Sequence, residues 1–74
     1  MKRTDFHKVL IALTAKHDFD RGIAGLCEDT GIPYQTMRKR LNNPRALRWY
    51  EYLAIVDSLH LDEREDAELR AAIK

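Results

Sequence analysis

Cysteine, proline and glycine are scarce in this chain, and acid is missing from its middle. One cysteine, Cys27, in 74 residues leaves no internal disulfide, and the expected setting is a reducing cytoplasm. The histidines, His7, His17 and His60, fall on separate predicted helices, and no CxxC or HxxxH spacing occurs. Neither a metal nor a cofactor is therefore expected, and Cys27 reads as a small buried hydrophobe. Gly22, Gly25 and Gly31 do not form a phosphate-binding loop, and no constellation of catalytic groups occurs. The chain thus does not read as an enzyme. No apolar run approaches the length of a membrane span. The opening residues have the outline of a signal peptide, but Thr14 interrupts their apolar stretch. Lys16, His17 and Asp18 then stand where cleavage requires small residues. Alternating β patterns, internal repeats and low-complexity tracts are absent as well.

What is there is a chain 45% hydrophobic and 34% charged, the balance of a globular domain rather than a disordered one. Its length allows one domain, residues 1–74, whose small core must pack efficiently. The net charge of +1 conceals a segregation. Residues 1–29 carry five basic and five acidic side chains, and residues 51–74 carry three basic and seven acidic ones. Residues 30–50 carry Arg38, Lys39, Arg40, Arg45 and Arg48 and no acid. Such a band suggests a localised anion-binding surface, set against the plainer reading of solvated surface charge.

Periodicity predicts five short helices. Helix 1, over residues 4–17, places Phe6, Val9, Leu10 and Leu13 on one stripe, with Thr4 or Asp5 as its cap. Helix 2, over 21–29, takes Asp20 as its cap and puts Ile23, Leu26, Cys27 and Thr30 on one face. Gly25 would permit close approach of a neighbouring helix. Gly31 then permits a tight turn into helix 3, over 33–41. Proline suits that helix start, where its missing N–H is no loss, and Asn42-Asn43-Pro44 ends it. Tyr34, Met37 and Leu41 line the inward side, while Gln35, Arg38, Lys39 and Asn42 turn outward. Helix 4, over 49–60, has a broad apolar face of Trp49, Tyr52, Leu53, Val56 and Leu59, with Trp49 as core anchor. Helix 5, over 62–73, opens on an Asp62/Glu65 capping box. Its narrow stripe of Leu69, Ala72 and Ile73 makes it the least securely packed element by this reading.

The run TGIPYQTMRKRLNNP, followed by RALRWYEYLAIVDSLHL, resembles the second half of a lambda-repressor-like (Cro-type, XRE) helix-turn-helix DNA-binding domain. The resemblance covers residues 23–61. It implies an all-α, compact five-helix fold in which helices 2 and 3 form the helix-turn-helix, residues 21–41. It also implies a small bacteriophage or mobile-element regulator, working in the bacterial cytoplasm at the nucleoid. Three positions depart from the family pattern. Cys27 replaces a usual alanine and is small enough to serve. Ile23 replaces a frequent glutamine that grips a phosphate. Pro33 stands where serine or threonine usually caps the recognition helix.

By the family's geometry, Tyr34, Gln35, Arg38 and Lys39 are candidate base-reading residues in the major groove. Glutamine can bind adenine N6/N7 and arginine guanine O6/N7 in bidentate fashion. Tyr34 reads equally well as a sugar or thymine-methyl contact and as a core residue. Pro33, Thr36, Arg40, Asn42, Asn43, Arg45 and Arg48 are candidate phosphate contacts, which position without specifying sequence. Arg40 has the competing reading of an ion pair with Glu28 or Asp29. Lys2 and Arg3 are a candidate basic arm, set against the plainer reading of a disordered terminus. The expected function is a sequence-specific double-stranded DNA-binding transcriptional regulator, most simply a repressor. It would bind its operator as a homodimer through Leu61, Leu69, Ala72 and Ile73, and a protein antagonist is a possible control. The alternative is a protein-interaction module on the same fold, an antirepressor or a toxin–antitoxin component.

Overall fold

The computed structural model of the chain describes residues 3–73. Among them lie five α-helices and one short 3-10 turn: α1 Asp5–Lys16, α2 Gly22–Thr30, α3 Tyr34–Asn42, the turn Pro44–Ala46, α4 Trp49–Leu59 and α5 Glu63–Ala71. No strand occurs among the described residues. The helix ends fall within one or two residues of the periodicity reading.

The helix starts show how local chemistry sets these limits. Thr4 caps α1, its Oγ1 accepting the His7 N–H at 3.1 Å. The same hydroxyl donates to the Leu41 carbonyl at 2.6 Å, so one side chain ties the start of α1 to the end of α3. Asp62 and Glu65 close the expected capping box at α5: the Glu65 N–H reaches Asp62 Oδ1 at 2.8 Å, and the Asp62 N–H reaches Glu65 Oε1 at 3.2 Å. At α4 the carboxylate of Glu51 accepts the Arg48 N–H at 2.8 Å.

Helix α2 begins differently from the sequence expectation. Asp20 is not its cap. The chain enters through two left-handed residues, Arg21 at φ 61° and Gly22 at φ 55°, whereas a capping side chain works from extended backbone. No side chain caps this end. Gly25 is also explained otherwise. A Cβ there would sit 1.8 Å from the Asp20 carbonyl oxygen, so glycine accommodates the chain's own entry loop rather than a neighbouring helix. Gly31 does what the turn needs: at φ 79° it ends α2 and returns its N–H to the Cys27 carbonyl at 3.0 Å.

The core gathers Phe6, Leu10 and Leu13 of α1, Leu26 and Cys27 of α2, Ile32, Met37 and Leu41, then Tyr52, Ile55 and Leu59 of α4, and finally Leu69 and Ala72. Helix α2 packs on α4 and α1, and α5 packs on α1. Two expectations are corrected here. Helix α5 is anchored rather than loose: Leu69 is fully buried, and the buried Glu65 bonds Lys16 Nζ at 2.8 Å and His17 Nε2 at 2.9 Å. Helix α4 has a narrower inward face than its composition suggested. Tyr52, Ile55 and Leu59 face the core, whereas Leu53 and Trp49 are 45% and 60% exposed. Leu53 stands two residues from Ile55, about 200° around the helix, so both cannot face inward. Trp49 is not a core anchor; it stacks on Tyr52 with ring centroids 5.7 Å apart.

The resulting body measures 25 × 25 × 24 Å. No helix among the described residues is long and apolar enough to cross a membrane.

Candidate nucleic-acid interface

Helix α3 is polar apart from Met37 and Leu41, which bury themselves. These two lie four residues apart on one side, so Gln35, Arg38, Lys39 and Asn42 are turned outward, while Thr36 and Arg40 are half-buried. Gln35, Arg38, Lys39 and Asn42 are all exposed and border one shallow hollow. Their spacing of three and four residues makes them neighbours on a single face. No Asp or Glu belongs to α3 or to that hollow. Three of the four expected base readers thus project together, with Asn42 extending the row.

Tyr34, left open between core and surface, is 55% exposed. It belongs to a second hollow with Arg3, His7, Ile23, Arg38, Leu41 and Asn42. The start of α1 therefore adds Arg3 and His7 to the α3 surface. The sequence alone offers Arg3 only as part of a terminal arm and gives no signal for His7. Burial lowers the His7 pKa, and the nearby Arg3 charge lowers it further. Lys2 lies outside the described residues.

The phosphate candidates divide. Arg45, Arg48 and Asn43 are exposed around the 3-10 turn. Pro33 is exposed at the cap position of α3, and no side chain caps that end. Thr36 is half-buried, in a cleft of about 400 Å³ that it shares with Pro33, Arg40, Arg48, Tyr50 and Glu51 among others.

Arg40 is the correction. Its partner is neither Glu28 nor Asp29 but Glu51 of α4, with Nε donating to Oε1 at 3.0 Å. Glu28 pairs instead with Arg21, and Asp29 accepts from Ser58. Burial alone would raise the Glu51 pKa. The Arg48 N–H and the Arg40 guanidinium outweigh that and hold it below the usual carboxylate value. Arg40 is thus neutralised and only partly accessible, which sets it apart from the free cations beside it. A glutamate three residues into helix 4 was the available sequence signal, since that position reaches back to the helix start.

The residues expected at a dimer interface are mostly used within the chain. Leu69 is 0% and Ala72 8% exposed, while Leu61 and Ile73 are partly buried against the same core. The exposed large hydrophobic side chains are elsewhere: Tyr34, Trp49, Tyr50 and Leu53. Cys27 is buried, and burial raises its thiol pKa, which favours an unreactive thiol.

Comparison with models of protein families, with curated proteins and with solved structures found no match for the chain.

Proposed function

We propose that the protein is a sequence-specific double-stranded DNA-binding regulator that inserts α3 into the major groove. The observation that carries this reading is the acid-free outward face of α3, where Gln35, Arg38, Lys39 and Asn42 share one hollow. A helix with its side chains is about 10–12 Å across, and the major groove is ~12 Å wide. Gln35 would read adenine and Arg38 guanine, each with two hydrogen bonds. Lys39 would reach guanine or a phosphate. Arg45, Arg48 and Asn43 follow α3 in the chain and would hold the phosphates beside it, with Arg3 at the other margin.

One recognition helix reads only a few base pairs, so such proteins bind as pairs on half-sites about 34 Å apart. Homodimeric operator binding, with repression by occlusion of promoter DNA, is part of the same proposal. Selection of bound fragments from a random duplex pool, followed by anisotropy titration of the winner, tests it. A specific duplex should emerge, and Gln35→Ala should relax the choice at one position. If no duplex is retained even at low ionic strength, α3 faces something other than DNA, and the protein-interaction reading takes its place.

A further inference from the structure

We propose that the hollow between the start of α1 and α3 seats a phosphate of the DNA backbone, and that filling it couples DNA binding to the uptake of a proton by His7. This rests on the DNA-binding reading above, but on neither its base contacts nor its dimer.

Five side chains with hydrogen-bonding ends meet at this hollow of about 370 Å³. Arg3 and His7 come from the start of α1, and Tyr34, Arg38 and Asn42 from α3. The rest of the lining, Ile23 and Leu41, is apolar, and no Asp or Glu belongs to it. None of the five side chains forms a hydrogen bond or ion pair among the described residues. Two guanidinium groups and an imidazole, unpaired and away from any acid, suit a phosphate, whose oxygens accept charge-assisted hydrogen bonds. With Arg38 committed to a base, Arg3, His7 and the Tyr34 hydroxyl are left for the phosphate.

The hollow also lies where a phosphate would pass. It shares Arg38 and Asn42 with the base-reading hollow, so the two adjoin. Tyr34 and Arg38 stand about 200° around α3 from Thr36 and Arg40, which line the cleft beside Arg48. The α1 hollow and the Arg48 side are therefore opposite flanks of the helix. A helix filling a groove ~12 Å wide has one DNA backbone on each flank. The α1 flank is held at a fixed distance from α3, because Thr4 Oγ1 accepts the His7 N–H at 3.1 Å and donates to the Leu41 carbonyl at 2.6 Å.

His7 makes the contact conditional. Its ring is half-buried. In the free protein, burial and then the Arg3 charge favour the neutral ring and hold its pKa below the ordinary 6.5. Tyr34 and Arg38 are the other titratable groups facing it across the hollow, while Asp5 and Lys8 share its helix without lining the hollow. A phosphate set between Arg3 and His7 reverses the balance, since it offsets the Arg3 charge and accepts from the imidazolium. The ring then keeps its proton to a higher pH than in the free protein. By linkage, the gain in affinity appears as pH falls through the pKa of the bound form and is lost as pH rises through it. A rise of about one unit corresponds to a gain of up to about tenfold.

An NMR titration of the histidine ring protons of the full chain, free and bound to a mixed-sequence duplex, tests this. Binding should raise the His7 midpoint by about one unit or more and move those of His17 and His60 far less. In anisotropy titrations, wild-type affinity should rise about five- to tenfold from about pH 8 to about pH 5.5. The gain should be equal on random and selected duplexes, because a phosphate contact reads no sequence. The salt slope should steepen by about one over the same range. His7→Gln should lose most of the gain. The ring titration is made on wild type and stands whether or not that variant folds. The proposal fails if the His7 midpoint moves no more than the other two, or if His7→Gln keeps the wild-type pH dependence. Duplex binding with an unmoved His7 would sink this site and leave the DNA reading standing; no retention of any duplex even at about pH 5.5 would sink both.

Discussion

Arg38 and Arg40 stand two residues apart on α3 and have opposite fates. Arg38 is exposed, forms no ion pair among the described residues and shares a hollow with Gln35, Lys39 and Asn42. Arg40 is drawn under the start of α4 by Glu51, and only 19% of its side chain is accessible. Two residues turn a helix by about 200°, which is enough to move a charge from the outer face to the inner seam. Formal charge along a sequence therefore overstates what a ligand meets. Of the five cations between residues 30 and 50, Arg40 is neutralised by Glu51, leaving Arg38, Lys39, Arg45 and Arg48 without an ion pair among the described residues.

Four experiments can break or sharpen that contrast. The largest effect is expected from Arg40→Met, which leaves Glu51 buried without its counter-charge. Removing one member of a buried pair costs about 3–5 kcal/mol, and the partial exposure of Arg40 reduces this to ~2–4 kcal/mol. Thermal denaturation should show a melting temperature lower by ~10 °C or more. A variant as stable as wild type would mean that the α3–α4 seam does not depend on this pair.

Arg38→Ala should behave in the opposite way. Its stability should stay within ~0.5 kcal/mol of wild type, while affinity for the selected duplex falls by about 1–3 kcal/mol. Equal binding by mutant and wild type would remove Arg38 from the proposed base-reading set. Arg45→Ala should act more weakly and on all duplexes alike, lowering the slope of log affinity against log salt by about one. An unchanged slope would exclude Arg45 as a phosphate contact.

The smallest and most local effect concerns Glu65, the second buried carboxylate that holds cations. The hydrogen bond from Lys16 brings its pKa down to about 2. The folded value lies below the ordinary 4.5, so this contribution is complete above about pH 4.5 and is lost as pH falls through about 2. Lys16 is largely in water, which screens the interaction. Urea melts at pH 5, 4, 3 and 2 should show wild type losing stability faster than Glu65→Gln. Parallel loss in the two would place the acid sensitivity elsewhere.

The features legible from sequence are those decided within four residues. The Asp62/Glu65 capping box, the Gly31 turn and the Asn42-Asn43-Pro44 stop all depend on neighbouring backbone. The inward pair Met37 and Leu41, and with them the outward row of α3, follow from helical period, although the same period turns Tyr34 inward, where it is 55% exposed. What escaped the sequence depends on distant partners. Arg40 finds an acid eleven residues on, and only the fold of the 3-10 turn decides that Glu51 rather than Glu28 is in reach. Helix α4 carries more apolar residues than its neighbours cover, so composition made Trp49 a core residue when it is a surface one. Helix α5 carries few, and Leu69 is the one that closes the bundle over α1. Its Leu69 therefore belongs to the interior rather than to a contact between copies. Asp20 failed as a cap because two successive left-handed residues, Arg21 and Gly22, redirect the chain before α2 starts.

The Glu51 carboxylate holds the Arg48 N–H and the Arg40 side chain at once. It thereby rivets the helix proposed to enter the groove to the next helix across the Pro44–Ala46 turn, so the outward row of α3 is aimed by the whole bundle, and a change in its tilt would have to break this joint first.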